Sequence, residues 1–265
     1  MFEYQFMVNA FIAILLVAPL FGLLSTMVVS NRMAFFSDSL GHGAFTGIAV
    51  GVFFGSTSPL ISLIIFSIAF ALLITYIKNR SRTGADTVIG VFSSTAIAIG
   101  LMIMSSGGSF NKFSSYLIGD LLSITRDDLI ILSIVFIIVI VAWALLFNQL
   151  LVMSINASFA RSRGIAAFKV EAVFAAMLAV VVSISIQWVG ILIINSLLVL
   201  PAAAARNITN DVKHYNLASV LTALFSGVSG LIIAYEFDTA AGATIVVVSA
   251  AIYFLTFALK SRFRN

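Results

Sequence analysis

Nine apolar stretches dominate the sequence, and each has about 17–22 residues, the length that crosses a hydrocarbon core as an α-helix. Of all residues, 62% are apolar and only 9% are charged, whereas a soluble domain carries about 25% charged residues. Soluble enzymes, nucleic-acid-binding proteins and disordered chains are therefore excluded. The predicted spans are Val8–Val29, Met33–Phe54, Pro59–Ile77, Ala85–Ser105, Leu129–Phe147, Val170–Ile186, Val189–Ala205, Leu217–Tyr235 and Ala240–Leu259.

This pattern predicts an all-α, polytopic integral membrane protein with eight or nine transmembrane helices in the lipid bilayer. Residues 1–265 form one transmembrane domain, because the longest connections, Ser106–Asp128 and Asn148–Lys169, are too short for a soluble domain. The count stays at eight or nine because Gln187 and Trp188 alone separate two spans, so one of those spans is short, tilted or broken.

The distribution of basic residues predicts the orientation. With the N-terminus outside and nine crossings, the inner side receives 12 of the 14 lysines and arginines, as the positive-inside rule requires, and the C-terminus is cytoplasmic. The outer side receives only Lys112 and Arg126. The net charge of +4 is explained by the inner loops and does not indicate nucleic acid. The inner basic residues are Arg32, Lys78, Arg80, Arg82, Arg161, Arg163, Lys169, Arg206, Lys213, Lys260, Arg262 and Arg264.

An ionisable pair lies inside the second span, where charge is costly and usually functional. Asp38 and His42 are four residues apart and share one helix face, with Thr46 one turn further on. A carboxylate and an imidazole can bind a divalent ion, but an interhelical hydrogen bond and a proton relay remain alternatives. A tetrahedral ion needs about four ligands. The missing ones would come from a second copy of the pair, or from Ser, Asn or carbonyl groups of another span.

Small residues recur every fourth position on the same span and predict a ridge against which another helix packs closely. The favoured interpretation is plain helix packing next to the face that carries Asp38 and His42. The ridge consists of Ser39, Gly43, Gly47, Gly51 and Gly55.

Two further regions are candidates for function. Asn195 lies inside a span, where it either lines a pathway with Thr46 or, as we favour, forms an interhelical hydrogen bond. Asp86 opens a span and is interpreted as a charge at a helix N-terminus. In the inner connection Asn148–Lys169, Ala160 and Gly164 frame a short helical turn beside Arg161. This connection is either an ordinary basic loop or a docking element for a cytosolic partner.

The absence of catalytic motifs narrows the class further. The sequence has no GxxxxGK[ST] motif, so ATP hydrolysis through a P-loop would require another polypeptide. It also lacks HExxH and GxSxG, the signatures of common metalloproteases and hydrolases.

Four segments in order carry a family resemblance. They are RMAFFSDSLGHGAFTGIAVG (Arg32–Gly51), DTVIGVFSSTAIAIGLMIMS (Asp86–Ser105), YLIGDLLSITRDDL (Tyr116–Leu129) and VGILIINSLLVLPAAAAR (Val189–Arg206). Together they resemble the permease subunits of bacterial ABC importers for zinc, manganese and iron. The resemblance covers nearly the whole chain.

The resemblance implies a multi-pass permease of the bacterial cell membrane that is not itself an enzyme. It implies a homodimer, two cytosolic ABC ATPase subunits and an extracytoplasmic metal-binding protein, with no permanently bound cofactor and a divalent metal ion as the transported substrate. Asp38 and His42 match the family's intramembrane metal ligands, and Ala160 and Gly164 match its ATPase-coupling segment. Carboxylate and imidazole suit Zn²⁺, Mn²⁺ and Fe²⁺ equally. The alternative is a proton-coupled secondary transporter that uses Asp38 and His42 as a relay.

Overall fold

A computed structural model describes residues 4–54, 59–106 and 119–263, and within these ranges every regular element is helical. Nine helices there have 18 residues or more, and they are joined by one short helix, α6, and a 3₁₀ turn at Leu121–Ser123. The helices are α1 (Gln5–Ser30), α2 (Ala34–Phe53), α3 (Pro59–Arg80), α4 (Ala85–Ser106), α5 (Arg126–Ile155), α6 (Ala157–Ser162), α7 (Ala167–Val189), α8 (Ile191–Ile208), α9 (Val212–Glu236) and α10 (Ala241–Phe263).

The all-helical membrane fold is confirmed, and each predicted span corresponds to one of the long helices. Seven helices of the described ranges are long and apolar enough to cross a membrane, and these seven do not include α2 and α8. Polar and small residues, among them Asp38 and His42, lower the mean hydropathy of α2. The number of crossings and the side of each terminus therefore stay predictions.

Helices α1, α2 and α7 carry most of the buried core. Helix α8 connects the two halves of the molecule, because it contacts α1, α9 and α10 on one side and α2 on the other. Helices α5 and α10 expose most of their apolar side chains, for example Ile137 and Val247. In a membrane protein such a surface faces lipid, where an apolar side chain has no reason to be buried.

The boundary between α7 and α8 differs from the predicted one. The sequence placed it at Gln187 and Trp188, but α7 continues through both residues to Val189 and the break is at Gly190, whose φ is +87°. This φ is accessible to glycine and strained for other residues. The polar side chain of Gln187 suggested a loop, whereas the backbone turns where a glycine permits it.

The connection before α5 packs closely against this break. A Cβ atom on Gly119 would lie 2.4 Å from the Gly190 nitrogen, so the two backbones touch where neither residue has a side chain. The Asp120 amide donates to the Gln187 carbonyl at 3.3 Å. The Asn9 side chain donates to the Ile124 carbonyl at 2.9 Å. These contacts fix the end of the molecule at which α1 begins and α7 ends.

Candidate metal centre

Asp38 and His42, the predicted metal-binding pair, lie near the N-terminal end of α2. Helix α2 begins at Ala34, so Asp38 and His42 occupy successive turns of one face, and His42 Nε2 lies 3.6 Å from Asp38 Oδ2. The side chains are 46% (Asp38) and 28% (His42) exposed in the single chain. The sequence thus predicted the shared face correctly, and the structure shows that this face is open instead of sealed in the core.

The pair opens into a cavity of ≈ 380 Å³ between α2 and α4. Both helices contribute polar groups to the wall, so a cation there would meet carboxylate, imidazole and hydroxyl groups together. Its lining residues are Phe35, Asp38, His42, Asp86, Ile89, Gly90, Ser93, Ser94 and Ile97.

The sequence interpretation of Asp86 covered its position at a helix N-terminus but not its place in this cavity. Asp86 lies in the first turn of α4, as expected for a charge that favours a helix N-terminus. The structure adds that it lines the same cavity as Asp38. A signal was present in the sequence, because Asp86, Gly90, Ser93 and Ser94 recur at helical spacing and form a small, polar face. The pairing of that face with α2 was not visible in the sequence.

The cavity wall of one chain has too few donor side chains to surround a metal ion. Asp38 and His42 supply the oxygen and nitrogen donors that suit zinc, manganese and iron. Across the described ranges no group of three or more His, Cys, Asp or Glu side chains is arranged to hold an ion. A tetrahedral ion therefore needs additional ligands from outside this pair.

His214, the other histidine of the chain, lies outside the cavity between α2 and α4. Asp211 caps the N-terminus of α9 by accepting a hydrogen bond of 2.9 Å from the His214 amide. This backbone hydrogen bond, with a second one from the His214 ring, lowers the pKa of the Asp211 carboxyl. His214 is thus engaged at an exposed helix end, away from the cavity between α2 and α4.

The two predicted pathway residues form interhelical hydrogen bonds. The Ser37 hydroxyl donates to Asn195 Oδ1 at 2.7 Å, which joins α2 to α8 immediately before Asp38. The buried Thr46 hydroxyl donates to the Ala96 carbonyl and joins α2 to α4. Both contacts hold the helix that carries the pair, in the manner we favoured for Asn195. A role in lining the pathway stays a prediction for both residues.

The small-residue ridge packs against α3 of the same chain. A Cβ atom on Gly43 would lie 2.5 Å from Cδ1 of Phe70, and one on Gly47 would lie 3.0 Å from Cβ of Phe66. Ser39 and Gly51 are also buried, and Gly55 lies outside the described residues. The ridge therefore fixes the back of α2, and leaves the Asp38–His42 face free to line the cavity.

The connection between α5 and α7 forms a short, well-capped helix, α6. The Asn156 side chain accepts from the amides of Ser158 and Phe159, which caps the N-terminus. At the C-terminus the Ile165 amide donates to the Ala160 carbonyl, and Gly164 takes a φ of +76°. This is a Schellman arrangement. Ala160 is buried and Arg161 is exposed, so the connection presents a rigid basic turn.

Comparison with known proteins agrees with this architecture. The chain is 29% identical over 265 residues to the high-affinity zinc uptake system membrane protein ZnuB of Haemophilus influenzae, with 99% of this chain and 100% of that protein covered. It is 30% identical over 256 residues to the manganese transport system membrane protein MntC of Listeria monocytogenes, with 96% and 91% covered. The solved structure of PsaBC from Streptococcus pneumoniae in complex with Fab matches with a TM-score of 0.84 at 28% identity, covering 96% of this chain and 92% of that one.

A sequence model described as the ABC 3 transport family matches residues 3–260, nearly the entire chain. Its relatives include membrane proteins of zinc and manganese transport systems. The chain therefore belongs to the ABC 3 transport family, as a multi-pass permease of the bacterial cell membrane.

Proposed function

We propose that the chain is the permease subunit of an ATP-driven importer of a divalent transition-metal ion, Zn²⁺, Mn²⁺ or Fe²⁺. The observation that best supports this proposal is the Asp38–His42 pair, whose side chains lie 3.6 Å apart at an open cavity between α2 and α4. An ionisable pair amid membrane helices is costly unless it meets a partner, and a divalent cation is the partner that suits both donors. The metal is a transported substrate, and no permanent cofactor is proposed.

A second copy of the chain completes the metal shell in this proposal. The exposed fraction of Asp38, 46%, is high for a carboxylate next to membrane helices, and its face opens into the cavity between α2 and α4. A two-fold axis at this face would bring together two carboxylates and two imidazoles. Four ligands of this kind satisfy a tetrahedral ion.

The proposed orientation, with the N-terminus outside and the C-terminus cytoplasmic, is supported by the basic residues at one end of the molecule, where Arg80, Arg161 and Lys169 line one cavity. The N-terminal ends of α2 and α4 share the cavity, and the C-terminal end of α3 pairs with the N-terminal end of α7 through Lys78 and Glu171. Helices α2 and α4 therefore run in the same direction, and α3 and α7 run in opposite directions. In the proposed orientation this end is cytoplasmic, so an ion that leaves the pair inward passes Asp86.

Two partners complete the proposed cycle. An extracytoplasmic binding protein delivers the ion to the outer end, and cytosolic ABC ATPase subunits drive the change of access. The turn that Ala160 anchors in the core and that exposes Arg161 and Gly164 is the proposed contact with those ATPase subunits, because it is well capped, basic and placed between α5 and α7. The proton-coupled alternative gains no support from the family match or from the relatives.

The function is tested with the permease and its ATPase reconstituted in liposomes together with the binding protein. We expect ATP hydrolysis to be stimulated by metal-loaded binding protein, with the preferred ion found by scanning zinc, manganese and iron. The stimulation should be lost with the Asp38→Ala permease. Metal uptake that follows an imposed proton gradient without ATP would refute the proposal in favour of secondary transport.

We expect Asp86 to contribute less to metal uptake than Asp38 and His42 do, but by a measurable amount. We expect Asp86→Asn to reduce metal uptake about fivefold, because a carboxylate that faces the cavity attracts a passing dication. Asp86→Glu should retain uptake, and Asp238→Asn, an exposed carboxylate outside the cavity, is the matched control. Uptake is measured at equal membrane protein level, since Asp86 also favours its helix N-terminus. If uptake is unchanged in Asp86→Asn, Asp86 has no part in attracting the ion and serves only as a favourable charge at the N-terminus of α4.

A further inference from the structure

A second cavity, of ≈ 530 Å³, lies apart from the metal centre, between the end of α3, the turn after α6 and the first turn of α7. We call it the basic cavity, because Arg80, Arg161 and Lys169 line it and all three are exposed. Its remaining lining residues are Tyr76, Asn79, Ile165, Ala166, Ala167 and Phe168. Three cations at one concave site favour an anionic ligand.

The nearby carboxylate does not neutralise these cations. Glu171 forms an ion pair with Lys78 and accepts a hydrogen bond of 3.0 Å from Asn79. Within the described part of the chain, Arg80, Arg161 and Lys169 form no ion pair. The Arg80 guanidinium lies over the Tyr76 ring, 4.9 Å from its centre, which orients the group without cancelling its charge.

The basic cavity continues into a lipid-facing surface. Along α3 an exposed apolar stripe runs through Ile61, Ile65, Leu72 and Leu73 to Tyr76, at the mouth of the cavity. The Phe168 ring contacts the Tyr76 ring edge-on, with centroids 6.4 Å apart. Aromatic side chains at the end of an apolar stripe are typical of the membrane–water interface. An acyl chain along the stripe would place its headgroup at the cations.

We infer that the basic cavity binds the headgroup of an anionic phospholipid, such as phosphatidylglycerol, with the acyl chains along the exposed stripe of α3. Basic pockets between membrane helices recognise anionic headgroups in this way. An acidic segment of a soluble partner would use the cations but not the apolar stripe. The combination of both features therefore favours a lipid.

The test uses the full-length protein in nanodiscs of phosphatidylcholine with added phosphatidylglycerol, followed by native mass spectrometry of the retained lipid. We expect Arg80→Gln with Lys169→Gln to weaken phosphatidylglycerol binding about 25-fold, since each basic residue contributes about fivefold. Arg161 is left unchanged because of its proposed role at the ATPase. Lys213→Gln with Lys260→Gln, outside the basic cavity, removes the same charge and should change binding less than twofold. Arg80→Lys with Lys169→Arg should bind like the wild type.

Three outcomes would overturn the inference. The first is equal retention of phosphatidylcholine and phosphatidylglycerol by the wild type. The second is displacement of the lipid by millimolar inorganic phosphate, which would make this a site for free anions. The third is unchanged lipid binding in the double variant together with loss of the co-purifying ATPase, which would assign the basic cavity to an acidic protein segment.

Discussion

Asp38→Ala should abolish metal uptake, and His42→Ala should do the same. Each substitution removes one of the two strong donors that the chain places at the cavity between α2 and α4. If two copies share one ion, each substitution removes two ligands from a four-ligand shell. Changing a residue that merely supports a metal ligand costs about 10–100-fold in affinity or activity, so loss of the ligands themselves should lower uptake by at least about 100-fold. Uptake of radioactive zinc and manganese into cells measures this loss.

A loss of folding would imitate this result, so stability has to be measured beside it. Asp38 is nearly half exposed, and no hydrogen bond from another helix to its carboxylate is present among the described contacts. Removing it should therefore leave the membrane level and thermal midpoint of the protein unchanged. Asp127→Ala is the matched control, because Asp127 is an exposed carboxylate near the N-terminus of α5 and lies outside the cavity. Wild-type uptake in both Asp38→Ala and His42→Ala would remove the basis for the metal centre.

The sequence predicted the membrane helices well because the bilayer sets their length. It was less informative about helix ends. Helix α5 runs from Arg126 to Ile155, although its apolar stretch covers only Leu129–Phe147. Charged residues extend the helix at its N-terminal end, where Thr125 caps it by accepting from the Asp128 amide, and at the other end it continues past Asn148 and Gln149 to Ile155. Hydropathy detects the part of a helix that lies in hydrocarbon, whereas backbone hydrogen bonding continues beyond it.

The sequence predicted those features of the candidate site that depend on a single helix, but not those that depend on how helices pack together. The spacing of Asp38 and His42 placed both on one face, since residues four apart are neighbours on any α-helix. The contribution of Asp86 depends on the packing of α4 beside α2, which involves contacts far apart in the chain. The same limit applied to the ridge, because the spacing of Gly43 and Gly47 predicted a close neighbour but not that the neighbour is α3.

Gly47→Leu should prevent folding of the permease. A Cβ atom at this position would lie 3.0 Å from Phe66 Cβ and 3.3 Å from Leu63 Cα. Both atoms belong to or adjoin the α3 backbone, so a rotamer change cannot move them away. Overpacking a tight core costs about 1–3 kcal/mol or more, and a leucine adds three carbons beyond that Cβ. We expect membrane-inserted protein to fall to a small fraction of wild type, measured by blotting and by thermal stability in detergent.

Gly90→Leu separates this packing effect from the general cost of a leucine in a glycine position. Gly90 lies in α4, and a Cβ atom there would meet nothing within 4 Å, so this variant should reach wild-type levels. Equal levels and thermal midpoints for Gly47→Leu and Gly90→Leu would contradict the packing of α2 on α3. Combining Gly47→Leu with Phe66→Ala should recover part of the lost stability, because it removes the Phe66 ring, whose Cδ1 lies 3.3 Å from the added Cβ, although alanine keeps its own Cβ. Since directly packed residues couple by about 0.5–3 kcal/mol, a coupling near zero would mean that the two side chains do not meet.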